Sequence, residues 1–307
     1  MNLSVVIVNW NAGDLLRKCV QSVIEDQTGS GLSDIEIIVI DNASRDGSVA
    51  PVIAQFPSVR VIQNSENLGF ARATNQGIRA SLGRYVLLLN PDTEARPGAL
   101  GGMLRFIQSQ PEAGAVGAKL LNDDGSLQVS AYPEPTLFRE VWRLFHLDRL
   151  RPIGSYSMTA WDNATPREVD VLMGACVLLP RAVLDACGYL DERYFIYSED
   201  QDLCRRLRSR GWRVFWLPVA EVVHYGGQST RQVKGEMFVR LYREKISYFR
   251  VHNGNGSALI YKVVLLCASL ARQVVSPLAL LGSRDQRSRA FETARLYRRL
   301  VRELPAL

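Results

Sequence analysis

The sequence predicts an α/β fold: a mostly parallel sheet flanked by helices over residues 1–230, with a C-terminal helical appendage over 231–307. Two observations carry the first part. Short β-branched runs alternate with helical patterns, and each run ends in a polar motif. The third observation is charge. Residues 231–307 hold 15 Lys or Arg against 5 acids, whereas 1–230 hold 22 against 26, so the net charge of +6 belongs to the tail.

The first run, Leu3-Ser4-Val5-Val6-Ile7-Val8, is a strand that ends at Asn9 and Asn11. A helix follows over about 14–24, with Leu15, Leu16, Cys19, Val20 and Val23 on its apolar side. Ile35–Ile40 is a second strand, closed by Asp41-Asn42-Ala43-Ser44. Val59–Ile62 is a third and leads into Asn67–Gly77, a loop running into a helix. Tyr85–Leu89 is a fourth and ends in Asn90-Pro91-Asp92-Thr93-Glu94. A later strand, Val214–Val223, is broken by Pro218 and closes on His224. Strands apolar on both faces and alternating with helices imply a parallel sheet covered on both sides. In such sheets ligands bind beyond the carboxyl ends of the strands, where these polar motifs lie.

The segment Tyr194–Leu207 is the most informative of all. Glu199, Asp200 and Asp202 fall within four residues, between an aromatic run and a helical pattern marked by Leu203 and Leu207. The first turn of a helix favours carboxylates through its dipole. Capping needs one acid, not three, and the aromatics before them shield a carboxylate from water, which raises its pKa towards that of a useful base.

Composition sets the remaining bounds. With 47% hydrophobic residues in 307, the chain can bury a sizeable core. Five scattered cysteines form no CxxC pair; Cys19, Cys176, Cys187 and Cys204 fall in apolar segments and read as small core residues of a reducing compartment. Ser4 opens a core strand at once, with no signal peptide before it, so a cytoplasmic protein is expected. There is no GxGxxG after the first strand, which argues against a dehydrogenase. The basic tail lacks zinc, helix-turn-helix and RNP patterns, so no nucleic-acid partner is expected. Within the tail, Ser257–Leu281 is apolar but interrupted by Lys262, Arg272 and Pro277, short of the ~20 residues a spanning helix needs. Leu259, Val263, Leu266 and Leu270 recur at helical spacing and predict a helix in a membrane interface, its cations reaching anionic headgroups. The alternative is an amphipathic helix packed on the domain or at a homodimer contact. Arg284, Arg287, Arg289, Arg295, Arg298, Arg299 and Arg302 then form a second, cationic helix.

Several polar residues have two readings on sequence alone. Asp41, at a strand end, can accept the N3–H of a pyrimidine or serve an Asx-turn. Asp92 suits a hard cation, which prefers oxygen ligands, or simply a turn. His224 is a metal ligand or a hydrogen-bonded core histidine. Gly69, Arg72 and Asn75 stand where a glycine allows close approach and a helix start attracts phosphate.

The blocks Ser4–Asn11, Val39–Ser48, Asn67–Gly77, Leu87–Glu94, Leu172–Arg181 and Gly188–Trp212 stand in this order over roughly residues 3–225. Together they resemble family 2 of the inverting nucleotide-sugar glycosyltransferases, with the Rossmann-like GT-A fold. Asn-Pro-Asp-Thr-Glu, Met-Gly-Ala-Cys and Tyr-Ser-Glu-Asp-Gln-Asp-Leu-Cys look like its rhamnosyltransferase-like bacterial subgroup, enzymes of cell-surface polysaccharide assembly. The resemblance implies Asp200 as catalytic base. It places Asn9, Asn11, Asp41, Gly69, Arg72, Asn75, Asp92, Gly174 and Ala175 along the donor, with Mg²⁺ or Mn²⁺ held by Asp92 and His224 against the leaving diphosphate. One departure stands out: the family's usual Asp-x-Asp is here Asn90-Pro91-Asp92, which leaves one firm carboxylate. The subgroup implies a dTDP- or UDP-sugar, dTDP-rhamnose above others, and a lipid-linked or polysaccharide acceptor at the inner face of the cytoplasmic membrane. Two rivals are a nucleotidyltransferase, whose Gly-rich Lys/Arg loop is missing after the first strand, and a non-catalytic membrane-associated scaffold.

Overall fold

Seven consecutive buried residues make β1 (Leu3–Asn9) a central strand. It pairs in parallel with β2 (Ile35–Asp41) and β4 (Tyr85–Leu89), and β2 pairs in parallel with β3 (Arg60–Gln63). Helices α1 (Asp14–Ser30), α2 (Val49–Gln55) and α3 (Phe70–Ala80) connect these strands. The structure, a computed structural model, describes residues 2–30, 32, 34–227, 232–275 and 284–307.

Beyond β4 the direction changes. After β5 (Thr93–Ala95), α4 (Ala99–Ser109) and β6 (Ala113–Leu121) come the short strands β7 (Ala131–Tyr132), β8 (Arg167–Glu168) and β9 (Val171–Leu172). Helix α5 (Leu137–Leu144) lies between β7 and β8 in sequence. Strand β10 (Cys176–Pro180) then runs antiparallel between β4 and β6. Helices α6 (Arg181–Cys187) and α7 (Glu199–Ser209) precede β11 (Arg213–His224), which is parallel to β6 and antiparallel to β5. The full order is β3-β2-β1-β4-β10-β6-β11-β5, with β8 also on β11 and β7 paired with β9. The expected parallel order therefore holds across β3-β2-β1-β4 and gives way at β10. An apolar strand covered on both faces looks the same in either direction, so composition could not reveal the switch. The break at Pro218 is a bulge: the β6 register skips between Leu217 and Glu221, where a residue without an N–H costs no ladder bond.

These strands belong to one compact unit, formed by residues 1–134, 156–195 and the described part of 199–229. A second unit comprises 135–155, 196–198 and the described part of 230–307. It thus takes α5 and its following turn, which the sequence reading had left within 1–230. Glu140 of α5 is bonded within that unit. This buried carboxylate is met by Lys245 Nζ at 2.5 Å, Tyr261 Oη at 3.1 Å and Arg143 at 3.2 Å. A lone acid in a short helix reads as solvent-facing, and partners more than a hundred residues away leave no local signal.

Lys245 and Tyr261 both lie on α8 (Lys234–Val275), either side of a break at Gly254, whose φ of 84° only glycine adopts at little cost. Glu140 thereby ties the two halves together. In α9 (Arg284–Glu303), Tyr297 packs on Phe238 and Tyr242, and the Arg272 guanidinium lies 4.6 Å over its ring. In the half 255–275 one side is buried through Ala258, Tyr261, Leu265 and Ala268. The other side exposes Leu259, Ile260, Val263, Leu266, Leu270 and Val274, an apolar stripe without a charge. Taken whole, α8 is long and apolar enough to cross a bilayer by length and composition, but Gly254 breaks it and the second half carries Lys262 and Arg272. Arg295, Arg298, Arg299 and Arg302 are exposed as expected of a cationic helix; the side chains of Arg284, Arg287 and Arg289, and residues 276–281 with Pro277, lie outside the described residues.

Candidate active site

Asp200 sits in the first turn of α7, directly after Tyr197 and Ser198, both in the left-handed region with φ of 74° and 62°. Such backbone is strained for non-glycine residues by about 1–3 kcal/mol each and persists where the surroundings enforce it. Asp200 Oδ1 accepts the Gln201 N–H at 2.8 Å, and Oδ2 lies 3.3 Å from the Gly174 nitrogen. A small apolar cavity lies against it, lined in part by Phe70, Leu172, Leu190, Leu203 and Cys204. Burial pushes this carboxyl above its ordinary range, against the opposing pull of the backbone N–H groups of Gln201, Gly174 and Asp200 itself.

The other two acids differ. Asp202 is bound by Arg206 at 2.7 Å, and that guanidinium also donates to the carbonyls of Cys187, Gly188 and Tyr189. Its role is to hold α6 and its exit to α7. Glu199 is buried beside Asp200. Farther along α7, Arg205 and Arg208 clasp Glu134, and Arg208 also reaches Asp170, each at 2.9 Å.

The block Leu172–Cys176 faces Asp200 through Gly174, where a Cβ would lie 3.6 Å from that of Asp200. Ala175 does not share this position. It is fully buried in the core, and its carbonyl accepts the Asn90 N–H at 2.9 Å, joining this block to Asn90-Pro91-Asp92.

At the ends of β1 and β2, Asn9 and Asp41 are cross-strand partners. Asn9 Nδ2 lies 2.9–3.0 Å from Asp41 Oδ1, Ser44 Oγ and Ser48 Oγ, so one carboxylate oxygen of Asp41 is oriented by Asn9. Asn11 holds the same turn by accepting the Arg45 N–H at 2.8 Å. Asn42, which the sequence reading passed over, is the hub of this corner. Its amide joins Asn64, Asn67, Leu68 and Gly69.

Gly69 makes the close approach expected of it, but to protein. Its φ is 85°, and a Cβ there would stand 2.7 Å from the Phe195 ring and carbonyl. The adjacent Phe70 N–H donates to that carbonyl, so this loop is fastened to the segment before Asp200. Asn75, expected at the donor, is instead a buried clip: its amide exchanges hydrogen bonds with the Leu190 backbone and donates to Glu192. Arg72 is half-exposed and lies 3.4 Å from Glu192.

Asp92 and His224 stand side by side. Both are buried, with Asp92 Oδ1 3.4 Å from His224 Nε2. Asn90 Nδ2 is also 3.4 Å from that nitrogen, while Glu94 is engaged by the Tyr225 hydroxyl at 2.8 Å. Gln128, which no sequence pattern flagged, sits on the far side of the imidazole at 2.6 Å from Nδ1. Among the described residues no group of three or more His, Cys, Asp or Glu stands together as a complete metal cage. Asp92 and His224 offer one carboxylate oxygen and one imidazole nitrogen, a partial set suited to a cation that takes its other ligands from substrate phosphates and water.

The four cysteines expected in the core are buried and free, and burial pushes the thiols of Cys19 and Cys204 up to about 12. They are packing residues rather than nucleophiles.

Comparison with known proteins places this architecture. The solved mannosyltransferase PcManGT from Pyrobaculum calidifontis, in complex with GDP-Man and Mn²⁺, matches with a TM-score of 0.54 over 99% of this chain and 86% of that one, at 17% identity. The fold is GT-A. The profile of Glycosyl transferase family 2 matches residues 4–184, and the chain belongs to that family. It is a glycosyltransferase, an enzyme. The N-acetylglucosaminyl-diphospho-decaprenol L-rhamnosyltransferase of Mycobacterium tuberculosis is 31% identical over 248 residues, covering 74% of this chain and 77% of the relative. The low-salt glycan biosynthesis hexosyltransferase Agl10 of Haloferax volcanii is 26% identical over 267 residues, covering 85% and 79%. The family profile ends before Asp200 and His224.

Proposed function

We propose that this glycosyltransferase moves L-rhamnose from dTDP-rhamnose, with inversion, onto a lipid-linked or polysaccharide acceptor in bacterial cell-surface glycan synthesis. The observation that carries the reaction type is Asp200, a shielded carboxyl with a raised pKa beside the open backbone of Gly174. Asp200 takes the proton of the acceptor hydroxyl as that oxygen attacks the anomeric carbon from the side opposite the leaving diphosphate. Asp41, oriented by Asn9, receives the pyrimidine N3–H. A divalent cation, Mg²⁺ or Mn²⁺, held by Asp92 and His224 would neutralise charge on the departing diphosphate. The rhamnosyl reading and a lipid-linked acceptor draw on the mycobacterial relative's name.

The decisive experiment incubates the enzyme with a panel of nucleotide sugars, with and without a polyprenyl-diphosphate glycan, and identifies the nucleotide product. Free nucleoside diphosphate, greatest with dTDP-rhamnose, supports the reading. Pyrophosphate would make it a nucleotidyltransferase, and no turnover of any donor would favour a scaffold. The cation has its own test. Asp92→Ala and His224→Ala should each weaken Mn²⁺-dependent donor binding by at least ~10-fold, since even outer-shell losses cost that much. Wild-type activity untouched by EDTA would reject the assignment.

The setting that fits such an acceptor is the inner surface of the cytoplasmic membrane. The apolar stripe of α8 and the cations of 231–307 match an interfacial helix on anionic lipid. Val263→Glu/Leu266→Glu/Leu270→Glu should lower binding to vesicles containing phosphatidylglycerol at least ~10-fold, because three apolar side chains no longer leave water. Wild-type binding should also fall as salt rises. Unchanged vesicle binding, with a dimer that the triple variant dissociates, would assign the stripe to a second copy.

A further inference from the structure

We propose that Gln128 is a positioning residue for His224, fixing the imidazole as the Nδ1–H tautomer so that its bare Nε2 faces Asp92. The inference rests on the reading of Asp92 and His224 as the cation site, and it concerns how this chain prepares that site.

The direction of each hydrogen bond is set from outside. An ionised carboxylate only accepts. Asp124 therefore accepts a hydrogen bond from the Ser126 hydroxyl, at 2.6 Å. The Ser126 oxygen is then left to accept from Asn122 Nδ2, at 2.9 Å, which turns Asn122 Oδ1 towards Gln128. Gln128 Nε2 donates to that oxygen at 2.9 Å and to the His224 backbone carbonyl at 3.1 Å. Both amide hydrogens are thus used on groups that can only accept. Flipping the amide would set Oε1 against two acceptor oxygens, so Oε1 must face the imidazole, 2.6 Å from Nδ1. An amide oxygen can only accept, hence Nδ1 carries the hydrogen.

The consequence falls on the other nitrogen. In neutral imidazole Nε2 then carries the lone pair, and it stands 3.4 Å from Asp92 Oδ1. Asn90 Nδ2, also 3.4 Å from Nε2, is a donor within reach of that lone pair, but the pair of acceptors Nε2 and Asp92 Oδ1 facing each other is an arrangement that a cation between them satisfies. The second nitrogen of a metal-binding histidine is commonly held in this way, and the holding group fixes both tautomer and ring orientation. The relay needs a rigid backbone, which the turn at 122–127 supplies: Leu121 bridges Leu127, and the Gln128 N–H returns to the Leu120 carbonyl at 2.9 Å.

The test uses full-length protein labelled with ¹⁵N-histidine at a pH where the imidazole is neutral. Long-range ¹H–¹⁵N correlations report the tautomer, and His224→Gln assigns the signal among the three histidines. Wild type should show Nδ1 protonated and Nε2 bare. Gln128→Leu should mix the tautomers. In Mn²⁺ titrations with dTDP present, Gln128→Leu should bind ~10–100-fold more weakly than wild type. Asn122→Ala, on the surface turn, should move both readouts the same way without touching the imidazole, and covers the case in which Gln128→Leu does not fold. A wild-type Nε2–H tautomer, or an unaltered tautomer in both Gln128→Leu and Asn122→Ala, overturns the proposal. Wild-type protein that shows the Nδ1–H tautomer but binds no Mn²⁺ would overturn the cation reading instead.

Discussion

Asp200→Asn is expected to lower turnover by ~10²-fold or more while leaving donor binding largely intact. The amide nearly matches the carboxylate in shape but cannot take a proton. The pH dependence follows from the environment. Burial holds the Asp200 carboxyl above its ordinary range, and the ionised form is the base, so wild-type kcat should climb as pH rises through that raised value. The residual rate of the variant should lack this step. Stability moves the opposite way. A carboxyl whose folded pKa exceeds its unfolded one binds more protons in the folded state between those two values. Folding stability therefore falls as pH rises through that window and stays lower above it. Asn removes this cost, so the variant should melt at or above the wild-type temperature at pH 7, the usual signature of a group kept for function. Turnover within a few-fold of wild type would move the role to the neighbouring Glu199. An inactive variant that also melts well below wild type would make Asp200 structural.

What the sequence disclosed depended on how local each signal was. The strand ends at Asn9, Asp41 and Asp92 were legible, because an apolar run that stops at a polar residue marks both the strand and the edge where ligands bind. The acids of α7 were legible as a cluster; that Asp202 turns to the arginine four residues on is seen only in the structure. Direction was not legible, so the antiparallel β10 was missed. Nor were side chains whose partners are distant. Asn75 carries the same amide whether it faces a nucleotide or clips Leu190, and only the fold brings Leu190 to it. Gln128 lies 96 residues from His224, in a turn with no motif of its own. Ala175 and Gly174 are adjacent in one short block, yet the backbone points one to the core and leaves the other open beside Asp200.

The second unit was the least legible part, and it offers the other large effect. Lys245→Met should destabilise that unit by about 3–5 kcal/mol, because it leaves Glu140 buried without its closest cation. Arg143 remains within 3.2 Å, but its side chain is 45% exposed and spends part of its charge on water. Glu140 is held below the usual carboxylate range: burial alone would raise it, and Lys245 and Arg143 reverse that. A carboxyl lowered in this way contributes stability above its unfolded pKa and loses it as pH falls through the lower, folded value. Acid should therefore loosen α5 and α8, and Lys245→Met should reproduce that loosening at neutral pH. Burial also pushes Lys245 down while Glu140 pulls it back, so the pair contributes less net stability than breaking it removes. Glu140→Leu/Lys245→Met, which deletes both charges, should accordingly recover most of the loss. Hydrogen exchange read by mass spectrometry separates the units, since α5 and α8 should lose protection while β1 and β4 keep theirs. A loss below about 1 kcal/mol would place this pair with exposed ion pairs in its worth, despite its burial.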